Sequence, residues 1–276
     1  MKERIEFTKA VAAGNDFIII DRFKIRNIKY KIRNTNLAKM LCQRKISIGA
    51  DGLLLIEASK RCDFKMRIFN PDGSEVNMCG NGIRCAVLYA AKRKICSRKM
   101  TIETRAGELS AEVKQDKVRI KMSKPKDLRL KFDLDVNGKR ENISFINTGV
   151  PHVVFFVQGL DSFNVPDIGR AIRYHAEFQP KGTNTNFVEV LDRDHICLRT
   201  YERGVEQETL ACGTGAVASA IITASQMEHP QGKHKIRVDT QSGEALFVYF
   251  KIEKGAVSDI YLEGRAEIVY KGGLYV

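Results

Sequence analysis

"FNPDGSEVNMCGNGIRCAVLYAAK", from Phe69 to Lys92, is the stretch on which this sequence turns. A cluster of turn-forming residues gives way to a cysteine, Cys79, then to Gly-Asn-Gly, and then to an apolar segment with helical character. Further along, "ACGTGAVASAIITA" (Ala211 to Ala224) sets Cys212 before Gly-Thr-Gly and a second apolar segment. Each copy has a further match downstream of it. Thr104, Gly107 and Glu108 in "TIETRAGEL" align with Thr240, Gly243 and Glu244 in "RVDTQSGEAL", and Glu103 aligns with Asp239. Each half therefore reads as strand, loop, Cys-Gly-x-Gly, helix, then a strand pair turning at Gly-Glu. A duplicated module with a site between its copies is the simplest account. Chance recurrence of short motifs is the alternative, and agreement of several features in one order weighs against it.

Around these motifs the pattern is many short strands and few helices. Alternating β-branched and polar residues between Gly, Asn and Asp clusters predict strands over 5–10, 16–21, 53–57, 64–70, 100–104, 107–114 and 117–121. In the second half they predict strands over 143–147, 152–157, 187–191, 196–200, 235–240, 243–252 and 257–263. Helices are predicted over 34–42, 82–92, 168–176 and 215–226. The polar stretch from Ser123 to Glu141 reads as the connection between the halves.

The first turn of a helix carries unpaired N–H groups and the positive end of the helix dipole. A cysteine placed there has its thiolate stabilised. Glycines after it leave backbone amides open to close approach by an anion. One such element points to a cysteine nucleophile or a redox centre. Two in matched halves point to two thiols facing one ligand from opposite sides, which is what inverting a carbon stereocentre needs. One group removes the α-proton from one face and the other returns a proton to the opposite face, while helix-start amides meet the charge that builds on the carboxylate. Neither a pyridoxal-phosphate lysine motif nor a Rossmann glycine signature is evident, so racemisation without a cofactor is what remains.

Composition agrees with a globular chain of one large or two smaller domains. The 276 residues are 43% hydrophobic and 29% charged, with no run of the roughly 18 apolar residues a membrane helix needs. The N-terminus does not read as a signal peptide, so the cytoplasm is expected. Seven cysteines without a C-x-x-C pair argue against a disulfide framework or a zinc site. The net charge of +13 invites a nucleic-acid reading, but Lys and Arg are spread along the chain and no binding signature accompanies them. A solvated basic surface that steers an anionic substrate is the preferred account, with no specific nucleic acid and no membrane as partner.

At this point the sequence resembles the diaminopimelate epimerase family. The blocks that carry the resemblance are "GNDFIIID" (14–21), "IGADGLLLIE" (48–57), "FNPDGSEVNMCGNGIRC" (69–85), "NTGVPHVV" (147–154), "GTNTNFVEV" (182–190) and "YERGVEQETLACGTGA" (201–216), in the family's order. The resemblance implies that Cys79 and Cys212 are the catalytic thiols. It implies that His152 tunes the first and Glu202 the second, each holding or relaying the proton its cysteine exchanges. It further implies a substrate shell of Asn15, Asn70, Asn184, Glu202 and Arg203, with Gly80-Asn81 and Gly213-Thr214 as two anion cradles. Arg203 would clamp a distal carboxylate with two hydrogen bonds. His175, His195, His229 and His234 have no such support and read as surface or loop residues, and Cys85 reads as core. Val11 and Ala12 stand where many relatives carry His and Gly, and Val150 and Gly52 where some carry Asn and Gln.

The fold so implied is α+β: two pseudo-symmetric lobes, each a curved, mainly antiparallel sheet around a central helix that begins at the catalytic cysteine. Residues 1–122 would form one lobe, 123–144 the connection and 145–276 the other lobe, the C-terminal tail being a candidate to pack back on the first. The implied activity is interconversion of LL- and meso-2,6-diaminopimelate, without cofactor or metal, in lysine and peptidoglycan precursor biosynthesis. The implied assembly is a homodimer with Tyr270 at its contact. The competing readings are another amino-acid racemase or epimerase of the same fold, a thiol redox protein pairing Cys79 with Cys212, and a basic nucleic-acid-binding protein.

Overall fold

The computed structural model describes residues 4–23 and 32–275. In chain order the elements are β1 (Arg4–Ala12), β2 (Asn15–Asp21), α1 (Asn34–Leu41), β3 (Gly52–Glu57), β4 (Phe64–Phe69), β5 (Glu75–Val76), α2 (Gly80–Lys92), β6 (Lys99–Thr104), β7 (Gly107–Lys114) and β8 (Lys117–Lys121). They continue as β9 (Lys126–Val136), β10 (Lys139–Asn147), β11 (Pro151–Phe156), α3 (Val165–Arg173), β12 (Asn184–Asp192), β13 (His195–Glu202) and β14 (Gln207–Thr209). The last are α4 (Gly213–Gln226), β15 (Gly232–Thr240), β16 (Ala245–Glu253), β17 (Ala256–Arg265) and β18 (Glu267–Tyr275). Two compact units result, one built from 1–120 with 264–276 and the other from 121–263.

Strand pairing shows the duplication directly. In the first unit the sheet runs β18-β1-β2-β3-β4-β6-β7-β8, with parallel pairs at β2–β3 and β4–β6 and antiparallel pairs elsewhere. In the second it runs β9-β10-β11-β12-β13-β15-β16-β17, with parallel pairs at β11–β12 and β13–β15. The two orders and their directions match position by position. The short strands β5 and β14 extend β4 and β13 just before each cysteine. One difference breaks the match: the outer strand next to β10 precedes it in sequence, whereas the outer strand next to β1 is the distant β18.

Each unit buries one helix in the curve of its sheet. In α4, "GTGAVASAIITASQ", residues 215–224 are all buried against β10, β11, β12, β13, β15 and β16. A helix without charge or a polar face has no stable position at a surface, and its alanines let the strands close around it. α2 occupies the same place against β1, β2, β3, β4, β7 and β18, with residues 81–90 buried. The outer faces are covered by α1, whose Leu37, Ala38 and Leu41 pack on Ile18, Ile20, Leu53 and Leu55, and by α3, whose Ile172 packs on Val153 and Phe178. In both Gly-Glu hairpins a threonine hydroxyl closes the turn: Thr104 donates to the Gly107 carbonyl at 2.8 Å and Thr240 to the Glu244 carbonyl at 2.9 Å.

Two expectations need correction. The stretch expected as a connection instead contains β9, which pairs with β10 as the edge hairpin of the second unit. Its Leu128, Leu130, Phe132, Leu134 and Val136 do alternate. Charges between them masked the period, and at an edge Leu128 and Leu130 stay about 40% exposed while Leu134 and Val136 are buried. The central helices also begin two residues earlier than predicted, because the glycines lie within the first turn and not ahead of it.

Candidate active site

The two cysteines hold equivalent backbone positions. Cys79 is the N-cap of α2 (φ −144°, ψ 122°) and Cys212 the N-cap of α4 (φ −119°, ψ 110°), both in extended conformation. Their carbonyls accept the first intrahelical hydrogen bonds, from Ile83 and Ala216, each at 2.9 Å. The amides of 80–82 and 213–215 therefore precede the helical ladder, and neither cap side chain accepts a hydrogen bond from them. No acidic residue lies in either first turn, so nothing on the helix competes with an incoming anion. The glycines differ in purpose. A Cβ at Gly80 would meet nothing within 4 Å, whereas one at Gly215 would lie 2.3 Å from Asn186 Oδ1.

In the first unit, Asn15 and Asn81 come together. Asn15 opens β2, and its Oδ1 accepts from Asn81 Nδ2 at 2.5 Å. Asn81 Oδ1 accepts from the fully buried Arg84 at 2.8 Å, and Asn15 Nδ2 donates to Asp51 Oδ2 at 3.3 Å. Arginine can only donate and carboxylate only accept, so the chain Arg84–Asn81–Asn15–Asp51 fixes which way both amides face. Behind Asp51, Arg44 bridges it to Asp16, which also pairs with the buried Lys9 at 2.8 Å. Burial opposes ionisation of Asp16, but hydrogen bonds from Arg44 and Lys9 outweigh it and hold the carboxyl at about 2. Asn70 is not part of this chain. Its amide donates to Ser74 Oγ at 3.1 Å within its own turn.

In the second unit, Cys212 Sγ lies 3.5 Å from Thr214 Oγ1, and the Thr214 carbonyl accepts from Thr148 Oγ1 at 3.0 Å. His152 on β11 and Asn184 on β12 are register partners across a parallel pair. Asn184 Oδ1 accepts the Arg203 backbone N–H at 2.7 Å, so the amide holds the start of the "RG" turn. Arg203 Nη1 donates to the Lys181 carbonyl at 2.9 Å. The other end of the turn is braced by Glu206, which accepts from Arg173 Nη2 at 2.9 Å and from the Gly204 N–H at 3.0 Å. Glu202 ends β13, with Thr209 donating to its Oε2 at 3.0 Å. Burial raises the Glu202 carboxyl above the usual range, Thr209 only partly offsetting it. His152 is fully buried, and burial, reinforced by the charge of Arg203, pushes it down to about 3.

Among the described residues, no group of three or more His, Cys, Asp and Glu side chains is placed to hold a metal ion. None of their helices is long and apolar enough to cross a membrane. A profile described as "Diaminopimelate epimerase" matches residues 7–127 and 144–269. A diaminopimelate epimerase from Aquifex aeolicus (strain VF5) is 42% identical over 278 residues, covering 98% of each chain. This chain belongs to the diaminopimelate epimerase family. The fold is shared more widely than the sequence. A Bacillus anthracis phenazine biosynthesis protein of the PhzF family superposes with a TM-score of 0.76 at 18% identity, covering 99% of this chain and 100% of its own. A probable proline racemase from Agrobacterium radiobacter K84 gives 0.70 at 14% identity, covering 99% and 93%. The two-lobe α+β architecture expected of a diaminopimelate epimerase is thus the one observed.

Four supporting residues were missed by sequence reasoning: Arg84, Asp51, Asn186 and Glu206. Arg84 left a signal, being the one charge inside the apolar run "IRCAVLYAA". Asn186 left another, since two residues after Asn184 it faces the same side of β12. Asp51 and Glu206 left none, because an acidic residue in a loop is ordinary.

Proposed function

We propose that this chain interconverts LL- and meso-2,6-diaminopimelate without a cofactor, as a step of lysine biosynthesis, Cys79 and Cys212 exchanging the roles of base and acid. The observation that carries the reading is the pair of cysteine-capped helices at equivalent places in a duplicated sheet, in a member of this family. One thiolate takes the α-proton, and the other thiol protonates the opposite face of the carbanion. The reverse reaction swaps the labels. The α-carboxylate takes up negative charge as the proton leaves, and the free first-turn amides of α2 and α4 are suited to stabilise it.

The remaining site residues act around that step. Asn15, Asn70 and Asn184 bind amino-acid heads through their amides, with Gly80-Asn81 and Gly213-Thr214 as backbone anion cradles. Arg203 recognises the distal carboxylate. Glu202, whose carboxyl burial raises above the usual range, tunes one thiol, while His152 tunes the other. The working assembly is a homodimer in the cytoplasm. Support for the contact is β18, where Val269, Tyr270 and Tyr275 are exposed and Tyr270 is held edge-on by Phe7 at 6.0 Å. Tyr270→Glu is expected to yield monomers by light scattering.

The reaction is tested by incubating reduced protein with LL-diaminopimelate in deuterium oxide. The α-proton signal should disappear as the meso isomer forms. An active, reduced preparation that leaves that proton in place overturns the reading. Proline, hydroxyproline and amino acids lacking a second head should remain unexchanged in the same assay. Exchange of proline at a comparable rate would transfer the function to a same-fold racemase.

A further inference from the structure

The surroundings of His152 determine which of its ring nitrogens carries the proton. Asn186 is fully buried on β12, and its Nδ2 lies 2.8 Å from the Val153 carbonyl. A carbonyl only accepts, so the nitrogen end of the amide must face it. The oxygen end accepts the Thr200 hydroxyl at 3.0 Å. It is also boxed in by Gly215 of the α4 first turn, where even a Cβ would come within 2.3 Å. With one N–H given to Val153, the other faces His152 Nδ1 at 3.1 Å. Nδ1 must therefore present its lone pair. In a neutral imidazole that leaves the proton on Nε2, an atom buried without a partner among the described residues. The imidazolium form would oppose two N–H groups, and burial already disfavours it.

We infer that Asn186 is a positioning residue that fixes His152 as the neutral Nε2–H tautomer, making His152 a hydrogen-bond donor to an anion in the epimerase site and not a proton acceptor. The donor role rests on the function proposed above; the tautomer does not. Nδ1 is covered by the Asn186 N–H, and Nε2 already holds its proton, so neither nitrogen can take one from a thiol. What Nε2–H offers is a charge-assisted hydrogen bond to a thiolate or a substrate carboxylate, in a site dry enough for it to count. The two tuning groups then differ in kind: Glu202 can carry a proton, and His152 only points one.

The test is a long-range proton–nitrogen correlation spectrum of the whole enzyme labelled with nitrogen-15 histidine, the His152 signals being those absent from His152→Gln. The expected pattern at neutral pH is an unprotonated Nδ1 and a protonated Nε2. A protonated Nδ1, alone or in an imidazolium, overturns the assignment. Asn186→Asp sets an acceptor against Nδ1 and should move the proton there, lowering kcat by roughly 100-fold or more with KM little changed. Wild-type kcat in a folded variant with the proton so moved overturns the donor role while leaving epimerisation intact. If that variant does not fold, the wild-type spectrum alone decides.

Discussion

The start of α2 and the start of α4 carry the same cap, a cysteine followed by Gly-x-Gly, over sheets of the same order, yet what lies beneath them differs. Under α2 the amides of Asn81 and Asn15 are strung between charges, Arg84 at one end and Asp51, Arg44, Asp16 and Lys9 at the other. Under α4 the network is neutral: Asn186 joins the Thr200 hydroxyl, the Val153 carbonyl and His152. Backbone geometry has been duplicated and side-chain chemistry has not. A shared backbone frame can therefore place each cysteine alike while each unit surrounds its own with different electrostatics.

The largest effects test whether the two sides are equal in chemistry. Cys79→Ala and Cys212→Ala should each reduce epimerisation by roughly 10⁴-fold or more, read as meso product from the LL isomer. If either variant keeps near-normal turnover, the two-base scheme fails and with it the equivalence of the caps. Next comes packing. Gly215→Ala should cost about 1–3 kcal/mol in urea unfolding, because Asn186 has nowhere to go. Gly80→Ala, facing open space, should stay within about 0.5 kcal/mol yet slow turnover by crowding the anion cradle. Equal stability losses would show that Gly80 and Gly215 serve one purpose.

A smaller effect is expected at Arg84. Replacing it with methionine removes the donor that orients Asn81, and kcat/KM should fall roughly tenfold, mainly through KM. An unchanged KM would remove the Arg84–Asn81 pair from substrate recognition. The smallest effect is on acid stability near neutral pH. His152 sits at about 3 when folded against an ordinary 6.5, so the unfolded chain takes up the proton first and stability falls as pH drops from 6.5 toward 3. About 1 kcal/mol should be gone by pH 6, and His152→Gln should flatten that slope, leaving the part due to His229, which burial also lowers. Asp16, at about 2 against 3.8, loses its contribution only below 3.8. The raised Glu202 acts with opposite sign: its contribution is present at low pH and lost as pH rises. Unfolding midpoints measured across pH would separate the three.

What could be read in advance followed from pattern and chemistry. The repeated Cys-Gly-x-Gly and the Thr-x-x-Gly-Glu hairpins were visible because they rest on residue types with few substitutes at a tight turn. The charge-free run of α4 could only be a buried helix. β9 was misread although its leucines alternate, since flanking lysines and aspartates dominate its composition. β18 was missed, as "EIVYKGGLY" has two glycines where alternation should continue and its pairing partner lies at the far end of the chain. The parallel pairs β2–β3 and β11–β12 have no local signature at all, and the second of them brings His152 beside Asn184 and Asn186. The two cysteine-capped helix starts were legible; the hydrogen-bond networks beneath them were not.

That distant pairing of β1 with β18 has a consequence for biosynthesis. The second unit is one continuous segment, 121–263, and every residue it needs has been translated before β18 is made. β1 leaves the ribosome long before β18, its outer edge open until that flanking neighbour has also left the exit tunnel. An open edge invites pairing with any passing strand. Arg4 and Glu6, exposed on either side of the buried Ile5, are suited to discourage that during the wait. Arrival of β18, not the appearance of the first half, is the moment when the Cys79 unit can close.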